Sequence, residues 1–124
     1  MFKHKIISLI VFLLVSVSSA SAEKSTELYI PIGNSPGLSG IYTIIGNIDR
    51  VDLQNRTLVL STASDSYAIE VTERTFIYLD KSKARLSSTH GTLADCQTGD
   101  TIEVKWEDDD PAQPAEWIKV EKDR

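Results

Sequence analysis

The sequence predicts an all-β fold, a small sandwich or barrel of five to six antiparallel strands with one short helical turn, preceded by a cleaved signal peptide. Three observations carry this. From Ile41 onward, short β-rich runs alternate apolar and polar residues and are separated by turn residues. No long stretch keeps the spacing of an amphipathic helix. The chain behind the apolar N-terminus is also the right length for a single domain with one modest core.

Lys3, His4 and Lys5 precede an apolar run from Ile6 to Val15, and small residues ending Ala20-Ser21-Ala22 follow. A basic start, an apolar middle and a small-residue end make a secretory signal, with cleavage expected between Ala22 and Glu23. The apolar run is shorter than the ~20 residues of a membrane-spanning helix. The mature chain is therefore expected to be exported without stable membrane insertion, to the periplasm rather than the medium. No cysteine stands directly after the cleavage point, and Cys96 lies far downstream, which argues against a lipid anchor. The chain divides into the signal (1–22), a Gly/Pro/Ser-rich clasp (23–40) and a β domain (41–124).

Of 124 residues, 102 remain after cleavage; they hold all 18 acidic side chains but 11 of the 13 Lys and Arg, a net charge of −7. Such a surface excludes nucleic acid, whose binding needs Lys and Arg to displace counterions, and repels anionic lipid. The single cysteine, Cys96, cannot form an internal disulfide and reads as a buried inert thiol, with pairing to another chain as the sharper alternative.

The elements follow in order. "IYTIIGNIDRVD" puts Tyr42, Ile44, Gly46 and Ile48 on one face, and the glycine lets a strand bend. "LQNR" turns the chain. "TLVLST" sends Leu58 and Leu60 inward, and "SYAIEVT" adds Tyr67, Ile69 and Val71 to the same core. "TFIYLD" is apolar on both faces, which calls for cover on both sides or a place at a seam. Residues 81–91 read as a polar surface loop. In "TLADCQTGD", Thr92 and Asp95 have capping-box spacing for one helical turn ended by Gly99, a plug for one end of the core. "TIEVKWE" points Ile102, Val104 and Trp106 inward and Glu103, Lys105 and Glu107 to water. "AEWIKVEK" sends Ile118 and Val120 inward and places Trp117 outward beside Lys119 and Glu121.

The stretches "GNIDRVDLQNRTLVL", "YAIEVTERTFIYLD", "LADCQTGDTIEVKW" and "AEWIKVEK" resemble a family of exported bacterial small β-barrel domains of unassigned function. The pattern falls at Gly46, Ile48, Val51 and Asp52, at Val71, Thr72, Thr75 and Ile77, and at Asp95, Gly99, Asp100, Ile102 and Val104. It spans about residues 40 to 122. The resemblance implies an OB-like barrel and no activity, because its motifs bear the fold rather than chemistry. Cys96 stands where that pattern usually has Leu.

The residues that carry chemistry are few. "IPIGNSPGLSG" lacks the lysine of a phosphate-binding loop, and "GLSG" places its second glycine one position too early for a nucleophile elbow. Its plainer role is a set of turns at Gly33, Pro36 and Gly37 that folds "LYIPI" back on the domain, with a recognition loop through Asn34 and Ser35 as the functional alternative. Deletion of residues 23–39 is expected to leave a folded domain. "EDDDP", Glu107 to Pro111, gathers hard oxygen ligands but lacks the spacing and glycine of an EF-hand loop; it reads as a solvated hairpin tip, or a weak divalent-cation site. His90 stands apart from other zinc ligands. Asp49 and Asp52 are a carboxylate pair without supporting residues. Trp117 with Tyr78 is a candidate aromatic patch for a sugar or peptide.

The expectation is a non-catalytic, exported binding module without cofactor or metal, engaging an envelope protein or other envelope component through its loops or an open sheet edge. The alternative is a binder of small ligands or oligosaccharides at the face near Trp117, with contacts at Tyr78, Asn34 and Ser35.

Overall fold

A computed structural model describes residues 26–124. The signal segment and its cleavage point at Ala22 and Glu23 lie outside these residues. The strands are β1 (Ile44–Asp52), β2 (Thr57–Ser61), β3 (Ser66–Glu70), β4 (Phe76–Asp80), β5 (Thr89–His90), β6 (Thr101–Trp106) and β7 (Ala115–Glu121). They make one mixed sheet in the order β3-β2-β1-β6-β7-β4-β5. Three 3-10 turns, Ser82–Ala84, Leu93–Asp95 and Glu107–Asp109, complete the regular structure.

The expected five to six antiparallel strands are thus seven. β4 runs parallel to β7, and the ladder is not closed into a barrel. The added strand is the two-residue β5, which pairs with β4 inside the 81–91 stretch expected as a loop; the departure of β4 from the β3 ladder lies in "VTERT". The Thr72 hydroxyl accepts the Arg74 N–H, the Thr72 carbonyl accepts the Thr75 N–H, and the Thr75 hydroxyl accepts the Thr72 N–H. Side chains that capture nearby backbone donors take the chain out of the ladder. The runs on either side become β3, paired with β2, and β4, paired with β7.

This break still forces the sheet to curl. In a flat sheet β3 and β4 would lie five strand spacings apart, about 24 Å, whereas the six steps from Glu70 to Phe76 reach at most about 22 Å even when extended. The linker is pinned on both flanks, because Val71 N–H donates to Arg56 O and the Thr75 hydroxyl donates to Ala115 O at 2.7 Å. Ile69 of β3 and Ile77 of β4 consequently reach one core with Leu58, Leu60, Ile102, Val104, Ile118 and Val120.

The inward alternation holds along the long strands except at two bulges, in β1 after Ile48 and in β7 between Ala115 and Trp117. Gly46 is needed where β1 passes close to β2, since a Cβ there would run into the Ser61 carbonyl oxygen. Asp49 bulges out of the ladder between the Ile48–Leu60 and Arg50–Val59 pairs; β1 pairs with β6 through residues 44–47 on one edge and with β2 through residues 47–52 on the other. Tyr42 lies before β1 and is exposed. The Thr92–Asp95 capping box forms, and Leu93 and Cys96 join the core beneath it. Among the described residues no helix is long and apolar enough to cross a membrane.

Candidate functional site

The outer face of the sheet has two halves, and the clasp distinguishes them. Glu103, Lys119 and Asp80 sit on the outer side of β6, β7 and β4, where Glu103 lies opposite Lys119 in register. The expectation that Glu103 and Lys119 face water is corrected: Glu103 is 0% exposed, Lys119 1% and Asp80 6%. Their parity is outward as alternation requires, but the segment ahead of β1 lies over them. This explains why "TFIYLD" is apolar on both faces: Ile77 faces the core and Tyr78 lies buried on the other side.

The contacts that hold the clasp are polar. Glu103 accepts the Gly33 N–H at 2.9 Å, the Ser39 hydroxyl at 2.5 Å and the Thr43 hydroxyl at 2.7 Å. Lys119 Nζ donates to Glu27 at 2.7 Å, to Ile30 O at 2.9 Å and to Ser35 Oγ at 2.8 Å, and it lies 4.6 Å from the centre of the Trp117 ring. Asp80 accepts Ile32 N–H on one oxygen and Ser82 N–H on the other, each at 2.9 Å. Burial alone would raise the Asp80 pKa, but the bonds from Ser82 and Ile32 and the nearby Lys119 charge outweigh it, so the carboxyl is held below its ordinary range. Burial, assisted by the Glu27 and Glu116 charges, pushes the Tyr78 phenol up to about 12. Every buried charge is thereby hydrogen-bonded, which is the condition under which burial is tolerated.

Ser35 and Lys119 stand at the distance of a nucleophile and its base. The lysine, however, donates three hydrogen bonds. An ammonium that spends all three protons has no lone pair with which to take the serine proton. The pair therefore ties the clasp down.

Among the described residues the other half of the outer face carries no such cover. Arg50, Val59 and Ala68 form one outward row across β1, β2 and β3, and Asp52, Thr57 and Glu70 form the next. Arg50, Val59, Ala68, Asp52 and Thr57 line an open groove of about 710 Å³ together with Leu53. Asn55 donates its backbone and side-chain N–H groups to Asp52 at 3.0 and 2.8 Å and holds that carboxyl below its ordinary pKa. Among the described residues β3 pairs with β2 alone, and its second edge carries no ladder. No family model, curated protein or solved structure matches the chain.

The structure scatters the residues singled out from sequence. Trp117 is outward on β7 but 2% exposed, and Tyr78 is 1% exposed; the expectation that Trp117 faces solvent is corrected, and Lys119, which the clasp binds, lies over its ring. Ser35 is buried in the Lys119 cluster, whereas Asn34 is exposed. Asp49 occupies the bulge, apart from the Asp52–Asn55 turn. At the β6–β7 tip, Asp109 and Glu116 both bind Lys105, Glu107 meets Arg74 at 3.6 Å, and Asp110 caps its own turn. Among the described residues no group of three metal-ligating side chains converges. His90 is exposed and lies against the Tyr78 ring. Cys96 is buried, and burial pushes its thiol up to about 11, which leaves little thiolate at neutral pH. Sequence reading missed Glu103, Lys119 and Asp80 as a set, and the Arg50–Val59–Ala68 row. The first had one signal, the two-sided apolarity of β4; the second depends on the Asp49 bulge, which the sequence does not announce.

Proposed function

We propose that this protein is an exported, non-catalytic module with an OB-like rolled sheet that binds a protein or another envelope component. The periplasm is its proposed location, and the outer face of β1–β3 with the free edge of β3 is its proposed contact surface. The carrying observation is the groove lined by Arg50, Asp52, Thr57, Val59 and Ala68 beside a strand edge without a ladder partner. A groove that mixes one cation, one anion and an apolar floor next to open backbone groups suits an extended polypeptide. A binding role also accords with the use of Lys119 and Ser35, which spend their hydrogen bonds on the clasp. An aromatic sugar platform at Trp117 and Tyr78 would first require that the clasp be displaced.

The test is retention of envelope proteins on the immobilised mature chain, with wild type compared against Ala68→Arg, which fills the groove centre. A partner held by wild type and lost by the variant supports the reading. The same proteins bound by both would contradict it.

A further inference from the structure

The clasp is attached in an unusual way for a structural cover. No residue of 26–43 belongs to the hydrophobic core cluster. Three ionised side chains on three neighbouring strands instead read the main chain of a four-residue stretch. Lys119 of β7 takes Ile30 O, Asp80 of β4 takes Ile32 N–H, and Glu103 of β6 takes Gly33 N–H. Pro31, between them, has no N–H to leave unpaired.

Backbone hydrogen bonds supply affinity in peptide recognition, and bonds to ionised groups are the stronger kind. They also make a reversible cover, because a carboxylate or ammonium uncovered on an outer face is solvated by water, whereas a core side chain is not. Gly37 and Gly40 both take positive φ, in the turns that bring Ser39 and Thr43 back to Glu103.

We propose that the outer face of β4, β6 and β7 is a peptide-binding site that the chain's own clasp occupies, and that in trans it takes a turn-forming peptide of the Ile30–Asn34 kind, a proline between two apolar residues followed by a glycine at positive φ, with Asn34 N–H donating to Pro31 O. The site is separate from the β1–β3 groove and does not depend on it. In the closed chain only the small open fraction can bind, so apparent affinity is reduced by that fraction.

The experiment uses the full chain and a fluorescein-labelled peptide with the sequence of residues 26–40. Glu27→Ala with Ser35→Ala loosens the chain's own clasp while leaving Asp80, Glu103 and Lys119 in place. The loosened chain is expected to bind the peptide at least tenfold more tightly than wild type. A peptide N-methylated at the Gly33 position, which cannot donate to Glu103, should lose at least tenfold in affinity. Equal binding by both chains, or equal binding of the methylated peptide, overturns the proposal. Should the loosened chain lose its cooperative melting transition, amide exchange in wild type decides. Ile32 and Gly33 exchanging at least tenfold faster than Ile118 supports a clasp that opens alone, and exchange of all three at the same rate overturns it.

Discussion

The two halves of the outer sheet face are built from the same alternating pattern and end in opposite environments. Over β4, β6 and β7 the outward residues Asp80, Glu103 and Lys119 are buried and bonded to the clasp; over β1–β3 the outward residues Arg50, Ala68 and Glu70 are exposed. Outward parity on a strand is therefore not a statement about solvent. It becomes one only once the rest of the chain has been placed.

The largest effect should come from the covered half. Lys119→Ala leaves Glu27, Ile30 O and Ser35 without their donor, and breaking a buried pair costs about 3 kcal/mol or more. The loss is capped, because once the clasp lifts, water solvates the orphaned groups. Urea unfolding should show a lowered midpoint with the cooperative transition kept. An unchanged midpoint would mean that the cluster contributes nothing to stability.

Glu103→Gln should cost less, about 1–3 kcal/mol. The amide retains one acceptor but confronts the Gly33, Ser39 and Thr43 donors with a donor of its own. Urea unfolding reads this too, and a cost as large as that of Lys119→Ala would place the main anchor at Glu103 instead.

A third prediction concerns alkaline pH. The folded pKa of Tyr78 is raised to about 12 from 10.0, so the folded state favours the neutral phenol. Stability from this source is complete below pH 10 and is lost as pH rises towards 12. Cys96 titrates in an overlapping window, from 9.0 towards 11. The informative quantity is thus the difference between wild type and Tyr78→Phe, whose melting temperature should fall less steeply between pH 10 and 12. Parallel curves would place Tyr78 in contact with solvent.

The smallest effect is expected on the bare half. Ala68→Lys adds a charge at an exposed position and should change stability by no more than about 0.5 kcal/mol. A larger loss would show that this face, too, is covered.

The inner face was legible because burial there follows strand parity alone. Leu58, Leu60, Ile69, Ile102, Val104, Ile118 and Val120 could be assigned from alternation, and all of them are in the core. The Thr92–Asp95 turn was legible because its signal is local. The parallel β4–β7 pairing was not, since strand alternation marks where a run lies and which way its side chains point but not which distant strand it joins or in which direction. The roles of Glu103 and Lys119 were hidden for a related reason: an outward charge reads the same whether water or a distant segment of the chain receives it. Only "TFIYLD", apolar on both sides, hinted at a cover, and nothing in it named the clasp as that cover.

The most direct test is thermal unfolding of the mature chain lacking residues 23–39, followed by tryptophan emission and near-ultraviolet circular dichroism. A clasp held by polar contacts outside the core predicts a cooperative transition at a lower temperature, with native emission shifted to the red as Trp117 becomes exposed. Loss of the cooperative transition would contradict the account and make the clasp part of the core itself.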